Sequence, residues 1–318
     1  MRRGAAVAGG VALVVLLAGV GWLAIRGDHA PFLAADQCTA EVDGRSVELD
    51  PSQARYAGVI AAVAVQRGMP ARAASIALAA AYQESDLQNL RGGDRDSAGL
   101  FQQRPSQGWG TVAEIRDPVH ATNAFYDALE KVPGYEQLAI TVAAQRVQRS
   151  AFPDAYADHE PDARALASAL TGNSPAAFSC RLHDADTGAV GLEDSGLTAR
   201  ADAVRRELAS MFPDQPLGGF APGGVSTGHM QGSAHYDGRA IDVFVRPVSP
   251  VHRTRGWAIA HYLVSQADRL AVKTVIFDDR IWTSGDRSGD GWRDYDPPER
   301  SGDRAVLEHR DHVHVDVY

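Results

Sequence analysis

Cysteine is almost missing from these 318 residues, and a surplus of positive charge is missing altogether. The two cysteines, Cys38 and Cys180, form no C-x-x-C pair, which argues against a cysteine-built metal site. A net charge of −9 argues against a nucleic-acid partner, which would need a basic face. No cysteine closes the N-terminal apolar run, so a lipid-modified cysteine is not expected there. Between Ala54 and Thr171 no stretch reads as a sheet.

What is present begins with that apolar run, Gly4 to Ile25, bracketed by Arg2-Arg3 and Arg26. It is long enough to cross a bilayer as a helix, and the leading arginines favour a cytoplasmic N-terminus. Residues 1–27 are therefore expected to be one transmembrane helix, a single-pass anchor in the cell membrane with the rest of the chain outside. The alternative is a cleaved signal segment and a secreted protein. Outside the membrane a Cys38–Cys180 disulfide can persist, and it would staple the segment it brackets.

Inside the bracket the apolar spacing predicts helices over Pro51–Gln66, Ala71–Glu84, Pro118–Lys131, Tyr135–Gln148 and Asp162–Leu170. The expectation is an all-α domain over 38–180. Residues 181–195 are polar, Gly-punctuated and poor in large apolar side chains, and read as a linker. From 196 to 318 the pattern changes to α+β. Helices are expected at Leu197–Phe212 and Thr254–Leu270, and strands at Ala240–Val243, Val272–Trp282 and His312–Val317.

Two places carry chemistry. The first is the end of the Ala-rich helix, Tyr82-Gln83-Glu84-Ser85-Asp86-Leu87, followed by Ala98-Gly99-Leu100-Phe101-Gln102. A carboxyl group leaving an apolar helix sits where desolvation favours its protonated form, and a protonated Glu is the acid a glycosidase needs. The plainer reading is that Glu84 ends a helix while Gln102 and Gln103 tie down the loop. The second is Ser233-Ala-His235-Tyr-Asp-Gly238-Arg-Ala240-Ile-Asp242, answered by Asp311-His312-Val313-His314 at the C-terminus. His235, Asp242 and His314 would leave one position open on a catalytic Zn²⁺. Period-two alternation sets His312 and His314 on one strand face.

Both places resemble known enzyme families. Glu84-Ser85-x-Leu87 followed by Gly99-Leu100-Phe101-Gln102 resembles the lysozyme-like fold of lytic transglycosylases, with Phe101 where Met is usual, over about Pro51 to Thr171. That resemblance implies Glu84 as catalytic acid, with Ser85 and Gln102 against the substrate. Asp94 and Asp96 are the nearby carboxylates a hydrolytic mechanism could recruit. S-x-H-x-x-G-x-A-x-D with a distant D-H-x-H resembles the zinc peptidases of the lysostaphin/D-Ala-D-Ala/Hedgehog group. It implies zinc on His235, Asp242 and His314, Asp311 as general base in the place of the usual Glu, and His312 on the oxyanion. Ser233, Trp292, Arg293 and Tyr295 are expected to face substrate. Asp286-x-Ser288-x-Asp290-Gly291 overlaps half of a calcium loop, but Pro297 stands where the closing Glu belongs. Together the resemblances imply an exported peptidoglycan hydrolase that cuts glycan strands and stem or cross-link peptides. The rival is a membrane-tethered wall-binding protein whose domains have lost turnover.

Overall fold

The first described element is a strand, although the sequence suggested helices alone for this half. The computed structural model describes residues 35–189, 191–299 and 301–318. The expected transmembrane segment lies outside the described residues, and no described helix is long and apolar enough to cross a membrane.

Strands β1 (Gln37–Val42) and β2 (Arg45–Leu49) form a hairpin, and β3 (Phe178–Arg181) joins it to give the order β2-β1-β3, all antiparallel. The expectation of an all-α segment over 38–180 is therefore corrected at both ends. The reason is legible afterwards: in β1, Cys38 and Ala40 are buried while their neighbours are less so, a period of two over too few residues to be noticed. Cys38 and Cys180 are direct cross-strand partners and are joined by a disulfide. It closes a loop with a sequence separation of 142, a restriction of the unfolded chain that contributes roughly 2–5 kcal/mol.

Between the strands lie five helices of use to the site: α1 (Pro51–Gln66), α2 (Ala71–Ser85), α3 (Pro118–Glu130), α4 (Ile140–Gln148) and α5 (Glu160–Leu170). Helix α1 starts on a capping box in which Asp50 and Gln53 satisfy each other's backbone N–H groups, with Pro51 in the first turn. Helix α2 is the central rod. Ala73 through Ala81 are buried without a break, because alanines let α5 and α4 approach closely on two sides. It ends abruptly at Asp86 and Leu87, both left-handed (φ 52° and 56°), where the Leu87 N–H returns to the Ala81 carbonyl. That stop leaves Glu84 on the last turn.

The second half contains α6 (Ala199–Met211), the long helix α7 (Pro250–Ser265) and a six-stranded antiparallel sheet in the order β4-β5-β9-β6-β7-β8. Its strands are β4 (Leu217–Gly218), β5 (Ala240–Phe244), β6 (Val272–Phe277), β7 (Arg280–Thr283), β8 (Arg293–Asp294) and β9 (His312–Val317). Helices α6 and α7 cover one face. The run read as a single strand from Val272 to Trp282 is instead the β6–β7 hairpin. Asp278 and Asp279 both take positive φ (53° and 62°), the requirement of a tight two-residue turn.

Residues Asp36 to Tyr318 form one compact unit, so the polar stretch 181–195 marks a change of architecture and not a gap. Its first residues are pinned: Leu182 is buried, its N–H reaches Ser288 Oγ at 3.0 Å, and Tyr318 donates to Asp184 at 2.5 Å. Helix α7 bridges the halves, with Arg255 on the Val65 carbonyl (2.7 Å) and His261 Nδ1 donating to the Ala169 carbonyl (2.8 Å). Trp282 and Trp292 donate across the same seam to the carbonyls of Cys180 (3.0 Å) and Phe178 (2.7 Å).

Candidate functional site

Strands β5 and β9 pair so that Asp242 faces His314 directly. Residues opposed in this way have Cβ atoms about 5 Å apart, close enough for their polar ends to meet. His235 enters from the Ser233–Gly238 turn. Gly238 (φ 66°) is required there, because a Cβ would lie 2.7 Å from the Gly196 carbonyl oxygen and 2.5 Å from Leu192. The result is a triangle of three potential ligand atoms. His235 Nε2 is 3.1 Å from His314 Nδ1 and 3.3 Å from Asp242 Oδ1, and His314 Nδ1 is 3.2 Å from Asp242 Oδ1. Four ligands at bonds of about 2.0 Å around a tetrahedral ion stand about 3.3 Å apart, so these three atoms fit one face of such a site. The outward-pointing atoms are anchored as well. His235 Nδ1 donates to the Gly219 carbonyl at 2.8 Å, and His314 Nε2 is 3.4 Å from Asp316 Oδ2. Burial alone would raise Asp242, but hydrogen bonds from His235 and His314 hold it far below the carboxylate range. Burial alone would lower His314, yet Asp242 and Asp316 outweigh it and push the ring up to about 9.

Gly219 (φ 80°) is a support the sequence did not reveal. A Cβ there would stand 2.3 Å from His235 Cε1 and 3.0 Å from Asp242 Oδ2. Gly219→Ala is expected to displace the His235 ring and, if the triangle holds zinc, to weaken that binding by about 10–100-fold, the usual cost of disturbing a supporting contact. Competition with a chromogenic chelator checks it, and unchanged affinity would remove Gly219 from the site.

The triangle opens on a cavity of about 690 Å³, lined among others by Ser233, Tyr295, His309, His312 and Asp316. His312 shares the ligand face of β9, and its Nε2 lies 3.8 Å from Asp242 Oδ1. Its Nδ1 meets Asp311 Oδ1 at 2.7 Å, and the other oxygen of Asp311 takes Arg246 Nε at 2.6 Å. Asp311, only 5 % exposed, is not among the cavity-lining residues. Expected as general base, Asp311 here has both oxygens engaged, one by His312 and one by Arg246, and it orients the His312 ring. Burial would raise Asp311, but His312 and Arg246 hold it below its ordinary range.

Two further imidazoles went unread in the sequence. His309, at φ 52°, lies 4.6 Å from the His312 ring and 4.9 Å from Tyr295. Burial first, and then the neighbouring imidazoles, push it down to about 3, so it is neutral. His229 stacks on His235 at 3.8 Å with planes 18° apart. His229, His235 and Asp242 have ligand atoms within 4.8 Å of one another. A nitrogen lone pair lies in its ring plane, however, so two nearly parallel rings cannot aim at one ion. In this pose His229 is a wall of the pocket.

Two residues expected to face substrate lie elsewhere. Trp292 does not line the cavity: it packs edge-on against Trp257 (5.1 Å) and donates to Phe178. Arg293 also lies elsewhere, donating to Thr283 Oγ1 at 2.9 Å on the β7–β8 edge. Ser233 lines the cavity, and its Oγ also accepts from the His235 N–H at 3.4 Å, as a turn residue does. The suggested calcium loop is a short helical turn whose Ser288 points inward to Gly285 and Leu182.

Glu84 lies at a second opening, a groove of about 540 Å³ that also involves Asp94, Phe101, Gln102 and Trp109. Tyr156 donates to Glu84 Oε1 at 2.7 Å. Burial raises the Glu84 carboxyl, against the opposing hydrogen bonds from Tyr156 and Gln148. Ser85, expected at the substrate, is buried and its hydroxyl donates to the Leu100 carbonyl (2.7 Å), clamping the helix end to the Gly99–Gln102 turn. Gln102 lines the groove, yet its amide is spent on Ser97 (2.8 Å) and the Gly99 carbonyl (3.0 Å). Asp96 is locked by Arg104 (2.6 Å) and the Ser106 N–H (2.9 Å), and Asp94 is an exposed side chain beside Arg95. No second carboxylate is held against Glu84 among the described residues.

No curated protein matches the chain. One family model, described as VldE, C-terminal domain, matches residues 193–305, which includes His235 and Asp242 and stops short of His309, His312 and His314. The chain is similar to that family over this segment, which is less than half its length.

Proposed function

We propose that this protein is an exported peptidoglycan hydrolase with two centres, one cutting glycan at Glu84 and one cutting stem or cross-link peptide at a zinc site of His235, Asp242 and His314. The observation that carries the reading is the triangle of ligand atoms with edges of 3.1, 3.2 and 3.3 Å on the floor of an open cavity. Zinc bound there would supply Lewis acidity toward a scissile carbonyl and toward water. The chain's own residues supply the rest. Asp311 and Arg246 hold His312 with Nδ1 toward Asp311, so that Nε2 can exchange a proton or donate to developing negative charge beside the metal. At the other centre a single raised carboxyl, bonded to Tyr156 and with no second carboxylate held against it among the described residues, suits proton donation to a glycosidic oxygen, with the substrate's own hydroxyl closing the ring.

The experiment is a digest of purified peptidoglycan by the full chain, with products separated by mass spectrometry. Anhydro-muramyl ends and new peptide termini are expected, and a zinc chelator should suppress only the peptide cuts. Binding to the wall with neither product would favour the tethered wall-binding reading instead.

A further inference from the structure

The Glu84 groove does not end at Glu84. A second cleft of about 540 Å³ shares Gln107, Trp109, Gln148 and Arg149 with it and adds Lys131 and Arg146. Its remaining lining is apolar, from Ala128, Val132 and Val147, and no acidic residue takes part. Three cations therefore border one cleft in a chain whose net charge is −9. None of the three has an ion-pair partner among the described residues, and each is exposed. The acids nearest Lys131 in sequence, Asp127 and Glu130, are both drawn to Arg67 at 2.7 Å. Lys131 and Arg149 follow the ends of α3 and α4, and Arg146 lies in the last turn of α4. Each could offset the carbonyls there. That role asks nothing of a shared cleft, nor of the half-buried Trp109 between it and the catalytic groove.

We infer that this cleft is a subsite for a carboxylate carried by the glycan, with Lys131 and Arg146 facing the charge and Trp109 offering a flat apolar surface to a sugar ring. Aromatic faces suit sugar C–H surfaces, and exposed cations discriminate acidic from neutral ligands most strongly at low ionic strength. The inference rests on the glycan-cleaving reading of Glu84 and adds to it a preference for acidic over neutral strands. The carboxylate could belong to a peptide stem or to the sugar's own lactyl group.

The test uses the full chain with Glu84→Gln, so that ligands are bound and not cut, and follows Trp fluorescence during titration. The probes are a neutral N-acetylglucosamine hexamer, peptidoglycan oligosaccharides with intact stems, and the same oligosaccharides stripped to the lactyl carboxylate. Adding Lys131→Gln and Arg146→Gln is expected to weaken the acidic probes about fivefold to tenfold at low salt and to leave the neutral hexamer unchanged. Loss with the stem-bearing probe alone assigns the charge to the stem, and loss with both means that the cleft takes either carboxylate. Loss with the stripped probe alone assigns it to the lactyl group, whose carboxyl is tied up as an amide when a stem is attached. Equal loss for the neutral hexamer, or no loss for either acidic probe, overturns the inference. If the Glu84→Gln chain binds no glycan at all, the Glu84 reading itself falls, a result distinct from a failed charge preference.

Discussion

Glu84→Gln should lower glycan cleavage by about 10²–10⁴-fold while leaving peptide cleavage and folding intact. The change removes the proton and keeps the size, and the Tyr156 hydroxyl that now donates to Oε1 can donate equally to the amide oxygen. The pH dependence has a definite sign. The acid must be protonated to act, and burial raises its pKa, so activity persists above the ordinary carboxyl range and is lost as pH rises through the raised value. Tyr156 works against that rise by stabilising the carboxylate. Tyr156→Phe should therefore move the falling limb to higher pH. Initial rates on isolated glycan strands across pH measure both. A Gln variant with full turnover would reduce Glu84 to the end of a helix, and a limb that stays in place without Tyr156 would remove that hydroxyl from the acid's environment.

The parts legible in the sequence were those set by local periodicity. Alternation along β9 placed His312 and His314 on one face, and Asp242 between Ile241 and Val243 read as a strand residue. Asp311 precedes β9, and its carboxylate meets the His312 ring. The family resemblance implies a base at that position, and the contacts with His312 and Arg246, both set by the fold, were not legible in it. Gly219 left no such trace: its carbonyl is one every residue has, and the room that its missing Cβ leaves for the His235 ring is defined only in the fold. His309 did leave one, a third imidazole three residues before His312, unused because nothing local fixed its direction. Trp292 and Ser85 were misplaced for a common reason. Each is held by a partner distant in sequence, Phe178 for the indole and Leu100 for the hydroxyl, and those distances close only in the folded chain. The small β1–β2–β3 sheet was missed because four to six residues are too few for period two to stand out beside long helices.

His314→Ala should abolish metal binding and, with it, every peptide cut. The residue supplies one corner of a triangle in which each atom is within 3.3 Å of the other two. Two remaining ligands on a cleft of this size cannot hold the ion against water, so stoichiometric zinc in the wild type should fall to background. Asp311→Asn is the companion that separates binding from chemistry. Asp311 touches no ligand atom of the triangle, so zinc content should stay at the wild-type level. What it loses is the charge that fixes His312 with Nδ1 toward Asp311 and Nε2 toward Asp242. The expected fall in peptide cleavage is about 10–100-fold, the range for residues that orient others around a metal. Metal analysis on desalted protein and peptide-bond counting on the same samples give both readouts. Wild type without zinc, or His314→Ala with as much as wild type, ends the metallopeptidase reading. An Asp311→Asn protein that keeps both zinc and rate would return His312 to the wall of the pocket and leave His309, neutral and 4.6 Å from it, as the group to test for the proton.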